Sequence, residues 1–116
     1  MHVERLKYII WAQDMARAVR FYRDVFDAEV ARESDILSEV VVAGSTIGIH
    51  SGGEGDLTWT GLSFQVDDLF AACAVVRAAG GTVLREPKDT PEEPAHLATC
   101  ADPEGNEIML TRKRQS

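Results

Sequence analysis

Lys7 and His50 are the side chains of this sequence best suited to moving protons near neutral pH. An imidazole titrates there unaided and a lysine does so once desolvated, so either can act as an acid or a base. Neither has a triad-like helper visible in the sequence. Cys73 falls in a helical pattern and Cys100 in a strand pattern, which suits buried, reduced thiols better than a bridge or a nucleophile. Alternation along the strands places Lys7 and His50 on one inner surface with Trp11, Gly48, Gly61, Ser63, Gln65, Glu107 and Met109. Aromatic walls, an amide, a hydroxyl and a cation describe a ligand cleft better than a packed core. Trp11, and Trp59 just before the fifth strand, can stack on a planar or apolar ligand, while Ser63 and Gln65 can fix its orientation. Lys7 can pair with an anionic group, or neutralise Glu107 across the barrel.

The elements that must hold these residues come in two similar runs. Ile10 through Glu33 recurs as Phe64 through Glu86, each a strand, a helix opened by Asp, and a further strand. Two copies are too few for a solenoid, so the halves are expected to pair their sheets around a shared cavity. In the first half, strands are expected at Leu6 to Trp11, Glu29 to Arg32, Ser38 to Ala43 and Thr46 to His50, with Leu6, Tyr8 and Ile10 under the helix. That helix starts at Asp14 and buries Met15, Ala18, Val19, Tyr22, Val25 and Phe26; Arg17, Arg20, Arg23 and Asp24 form its solvated side. In the second half, strands are expected at Gly61 to Val66, Thr82 to Glu86, Ala95 to Ala101 and Glu107 to Thr111, with a helix from Asp68 to Ala79 ended by Gly80-Gly81. The fold class is therefore α+β, two βαβββ modules forming a cleft-bearing pair of half-barrels. Module one covers about 5–50, a Gly-rich linker 51–60, and module two 61–112, together a single domain over 1–116.

Composition narrows the partners. Twelve Lys and Arg against nineteen Asp and Glu give a net charge of −7, which argues against nucleic acid. The one basic run, Arg112-Lys113-Arg114, reads as a solvated tail. No segment has the roughly 20 apolar residues of a membrane span, and the first residues lack a signal-peptide core, so the expected location is cytoplasmic.

The run Asp14 to Phe26 (DMARAVRFYRDVF) and the turn Asp102-Pro103-Glu104-Gly105-Asn106 resemble the vicinal oxygen chelate superfamily, which includes glyoxalase I, extradiol dioxygenases, fosfomycin-resistance enzymes and bleomycin-resistance proteins. The resemblance covers Leu6 to Thr111 and implies a glyoxalase-like fold and a homodimer. It also implies four strand positions where metalloenzymes of the family hold a divalent ion, and these read Lys7, Gly48, Gly61 and Met109. Glycine has no donor atom, Met is a soft donor and Lys would have to lose its proton. No metal and no cofactor are therefore expected; the alternative is a divalent metal displaced onto His50, His96 and Glu107. His2 is too near the end of the chain to count. The favoured expectation is metal-free binding or sequestration of a small apolar or anionic molecule, as in the bleomycin-resistance branch. The competing expectation is a lyase, isomerase or dioxygenase that uses the displaced metal, or Lys7 and His50 as acid and base.

Overall fold

The computed structural model describes residues 1–114. Strand β1 (Tyr8–Ala12) leads into helix α1 (Met15–Phe26), then β2 (Glu29–Arg32), β3 (Leu37–Val42) and β4 (Ser45–Ser51). The same order follows in β5 (Thr58–Gln65), α2 (Leu69–Ala78), β6 (Thr82–Arg85), β7 (Leu97–Ala101) and β8 (Asn106–Thr111). Each half makes one four-stranded mixed sheet, in the orders β1-β4-β3-β2 and β5-β8-β7-β6. Only the first and last strands of each half run parallel, because the helix between them is the crossover such pairing needs.

Local chemistry sets the element ends. The Asp14 carboxylate accepts from the Arg17 amide at 3.1 Å and that of Asp68 from Ala71 at 3.1 Å, so both helices begin at an aspartate cap. Asp27 closes α1 in the left-handed region at φ 54°, a role more often given to glycine. Ala43 and Gly44, at φ 50° and 79°, form the two-residue turn between β3 and β4, whose positive angles match the twist of a hairpin. The expected 51–60 linker is shorter than its composition suggests: β4 runs through Ser51 and β5 already begins at Thr58, with Trp59 inside it.

The core lies between helices and sheets, built on Ile10, Phe21, Tyr22, Val40, Ile49, Val76, Ile108 and Leu110. One expected packing is corrected. Ile10 and Ala12 are buried, but Tyr8 is 37% and Leu6 87% exposed. The parallel ladder starts only at Tyr8 opposite Ile47, and β4 itself starts at Ser45. Leu6 therefore lies at the hairpin tip, beyond the reach of α1.

The turn over residues 102–106 joins the halves. Asn106 imitates a strand: its amide oxygen accepts from the Trp11 N–H at 3.2 Å and its amide nitrogen donates to the Trp11 carbonyl at 2.7 Å. Glu104, 3% exposed, accepts from the backbone amides of Gln13 (3.0 Å) and Asp14 (2.8 Å) and from the Arg17 guanidinium at 2.6 Å. Buried Asp102 accepts from the Tyr22 hydroxyl at 2.6 Å, from the Asn106 side chain at 2.9 Å and from two backbone amides of its own turn. Arg17 is thus an intermodule ion-pair partner as well as part of a wet helix face.

The principal extents are 47 × 35 × 22 Å. A sheet and a helix layer, each about 10 Å thick, account for the shortest of these. The chain is a two-layer slab in which, among the described residues, the helices lie over one face of the sheets and no element lies over the other.

Candidate functional site

The open face displays the inner-surface residues in sheet register. Ile9 pairs with Gly48 and Trp11 with His50, so these lie side by side on β1 and β4. Glu39 on β3 is opposite Gly48. On the second sheet, Ser63 pairs with Met109 and Trp59 with Glu107. Trp11 and Trp59 are 47% and 59% exposed. The Trp11 and His50 rings approach to 4.9 Å between centroids, and the Nδ1 of His50 lies 2.7 Å from the Ser51 carbonyl. A carbonyl only accepts, so Nδ1 donates in this contact, and the neutral tautomer that makes it has its lone pair at Nε2.

The four positions at which a metal is implied do not fit one, for reasons of backbone as well as donor chemistry. At 48 the misfit is of donor chemistry alone: the glycine has no donor atom, and the Ile9 Cδ1 that lies 2.6 Å from where a Cβ would stand is the movable tip of a side chain. Gly61 sits at φ 75° in a bulge where the β5–β8 register shifts between Trp59 and Ser63. A residue with a Cβ is strained in that conformation, and its Cβ would also meet the Tyr8 hydroxyl at 3.2 Å. At the remaining two positions stand an ion-paired lysine and a methionine.

Lys7 pairs with Glu39, at 3.1 Å, and Arg5 joins the same carboxylate oxygen at 2.8 Å. This corrects the expected partner, Glu107. The substitution follows from topology: β3 is two strands from β1 in the same sheet, whereas Glu107 opens β8 in the other sheet beside Trp59. The hydrogen bond from Lys7, with the nearby Arg5 charge, holds the Glu39 carboxyl below its ordinary range despite its burial. Alternation could have found Glu39, since Leu37, Glu39 and Val41 share a face with Gly48 through the β3–β4 ladder.

His50, His96 and Glu107 are not gathered within one chain. His96 precedes β7 at the end where Thr111 finishes β8, its Nδ1 3.5 Å from the Glu93 carboxylate, whereas Glu107 lies at the opposite end of β8. Among the described residues no group of three His, Cys, Asp or Glu side chains could hold a metal. Cys73 and Cys100 are buried and unbridged. Burial raises both thiols, Cys100 to about 12, so neither is a ready thiolate.

A cavity of about 1160 Å³ lies at the seam of the two halves and is lined by residues of both. Leu6, Tyr8, Phe26, Leu62 and Phe64 give it an apolar lining, and Arg5, Lys7, Ser63 and Gln65 a polar one. The seam thus takes Lys7, Gly61, Ser63 and Gln65 from the expected inner surface, while Trp11, Gly48, His50, Glu107 and Met109 lie outside its lining.

Residues 2–110 match the family described as the Glyoxalase/Bleomycin resistance protein/Dioxygenase superfamily. The chain is 28% identical over 118 residues to a probable lactoylglutathione lyase of Vibrio parahaemolyticus, covering 89% of this chain and 86% of that protein. It is 29% identical over 119 residues to a lactoylglutathione lyase of Haemophilus influenzae, covering 89% and 87%. A shorter stretch of 55 residues is 38% identical to a probable lactoylglutathione lyase of Vibrio cholerae, covering 47% of this chain and 40% of that protein. In three dimensions it is similar to FosX, a fosfomycin resistance protein of Listeria monocytogenes, with a TM-score of 0.79, 16% identity and coverage of 100% and 95%. A variant of FosX solved with Mn(II) and a dihydroxypropylphosphonic acid gives 0.75 at 19% identity, covering 95% and 90%. The match of the family model to residues 2–110, almost the whole sequence, places this chain in the glyoxalase/bleomycin resistance protein/dioxygenase superfamily.

Proposed function

We propose that this protein is a metal-independent member of its superfamily that binds and sequesters a small molecule on the open face of its sheets. A second copy of the chain closes that face and completes the cleft. Trp11 and its neighbour His50 supply an aromatic wall, Trp59 a second, Lys7 a cation, and Ser63 and Gln65 directional hydrogen bonds. The observation that carries the reading is the pair of glycines at 48 and 61, neither of which has a donor atom, the second held left-handed in a bulge.

The names of the relatives favour a second reading, a lyase, with an isomerase or dioxygenase as its variants. The residues for it are His50, whose Nε2 lone pair can accept a proton, and Lys7, whose pairing with Glu39 suits an electrostatic role better than that of a base. Metal analysis of protein purified without chelator, combined with a hemithioacetal turnover assay, separates the two. The expected result is no stoichiometric metal and no turnover. Stoichiometric manganese, nickel, zinc or iron with chelator-sensitive turnover overturns the proposal. Turnover that survives chelator and is lost in Lys7→Ala overturns it in favour of metal-free catalysis.

A further inference from the structure

We infer that the groove at the seam of the two halves takes a small organic monoanion. Its acidic group would lie on Lys7 and Arg5, and its apolar body on Tyr8, Leu62, Phe64 and Phe26. This rests on the small-molecule reading above, names a ligand class, and moves the binding place from the Trp11–His50 wall to the seam, which shares Lys7, Ser63 and Gln65 with it.

Shape and lining come first. The groove's volume of about 1160 Å³ is ample for a molecule of a dozen or more heavy atoms. Its floor is firm, because the Phe26 and Phe64 rings stack at 3.8 Å and 9° and Phe64 is buried. Leu6 and Tyr8, which α1 leaves uncovered, stand along one wall. Exposed apolar side chains grouped beside a preformed hollow mark a surface that something covers.

Charge then selects the occupant. Arg5 and Lys7 each commit an N–H to one and the same oxygen of Glu39, so two cations share one carboxylate and most of their donors remain available. Glu39 itself is buried and outside the groove's lining, whereas Arg5 and Lys7 both line it with side chains 54% and 31% exposed. The other charged residue of the lining, Asp27, sits exposed where α1 ends. A single negative charge on the ligand complements the surplus cation; a second would meet Asp27 or Glu39. Ser63 and Gln65 add a hydroxyl and an amide for the remaining oxygens of a carboxylate or sulfonate.

The test uses two fluorescent dyes of similar body, the anionic 1-anilinonaphthalene-8-sulfonate and the neutral N-phenyl-1-naphthylamine, with the full chain. The sulfonate should saturate one site and perturb the amide NMR signals of Tyr8, Phe26, Leu62 and Phe64. Lys7→Met should weaken it about tenfold, the scale of one charge-assisted hydrogen bond. Gln65→Glu, at an exposed position, replaces an amide donor with a negative charge and should weaken the sulfonate several-fold, and both substitutions should affect the neutral dye much less than the sulfonate. Equal binding of the two dyes, with neither substitution affecting the sulfonate, overturns the anion class and leaves small-molecule binding standing. Perturbation at Trp11, His50 and Glu107 in place of the groove overturns the location. No saturable site for either dye in well-folded protein overturns this inference and the small-molecule reading together.

Discussion

Glu39 and Asp102 are both buried carboxylates, and their surroundings push them in opposite directions. Lys7 and Arg5 hold Glu39 below its ordinary range. Asp102 is raised by desolvation, which the hydrogen bonds from Tyr22, Asn106 and the backbone offset only in part. Linkage fixes the consequences for stability. Glu39 contributes stability above the ordinary glutamate value of about 4.3, and that contribution is lost as pH falls through its lowered value. Asp102 contributes most below the ordinary aspartate value of about 3.9, and that contribution is lost as pH rises through its raised value. Urea unfolding of the parent, Glu39→Gln and Asp102→Asn between pH 3 and pH 7 should show both signs. The parent's advantage over Glu39→Gln should grow as pH rises, and its advantage over Asp102→Asn should shrink. Slopes of the same sign for both comparisons would show that one environment has been misread. In the sequence Glu39 is one of two adjacent polar residues in an otherwise apolar strand, singled out only once alternation is followed through the neighbouring strand, and Asp102 reads as a turn former.

At the scale of elements, α1 is capped twice, by its own Asp14 and by Glu104 from the far half. Sequence patterning located the helix and its first cap because both are local: an aspartate, then apolar residues at helical spacing. The second cap lies 90 residues away from the amide it accepts, and no periodicity encodes that. The same limit hid the role of Arg17, whose charge matched a solvated face but whose guanidinium is raised above its ordinary value by the hydrogen bond and charge of Glu104. Glu104→Ala should lower unfolding free energy by about 2–3 kcal/mol, since it strands two backbone donors and an arginine. Arg17→Ala should cost only about 1 kcal/mol, because the arginine is 40% exposed and water can replace part of the pair. Urea titrations with unchanged slope check both values, and an equal cost for the two would make the ion pair, not the cap, the main contribution. Gly61 is the converse case: its place in the strand was legible, but its left-handed conformation depends on a bulge set by the neighbouring strand.

For the molecule as a whole, alternation identified which face is helix-covered, and the 22 Å thickness leaves the other face bare. On the proposed reading a second copy covers it, so light scattering should give twice the chain mass at micromolar concentration. Trp59→Glu should shift that equilibrium toward one chain, and a monomeric parent would remove the shared cleft from the proposal. The two similar four-stranded halves were legible from the repeat, but the polar bond between them was not, because it runs through side chains of one turn. Asn106 closes two hydrogen bonds onto Trp11 as a strand neighbour would, and Glu104 completes the helix beside it. A ribosome delivers the first half with that partner turn still unmade. The Glu104 cap cannot close on α1 until residue 104 has been made, so α1 stands half-capped throughout the synthesis of β2 to β7.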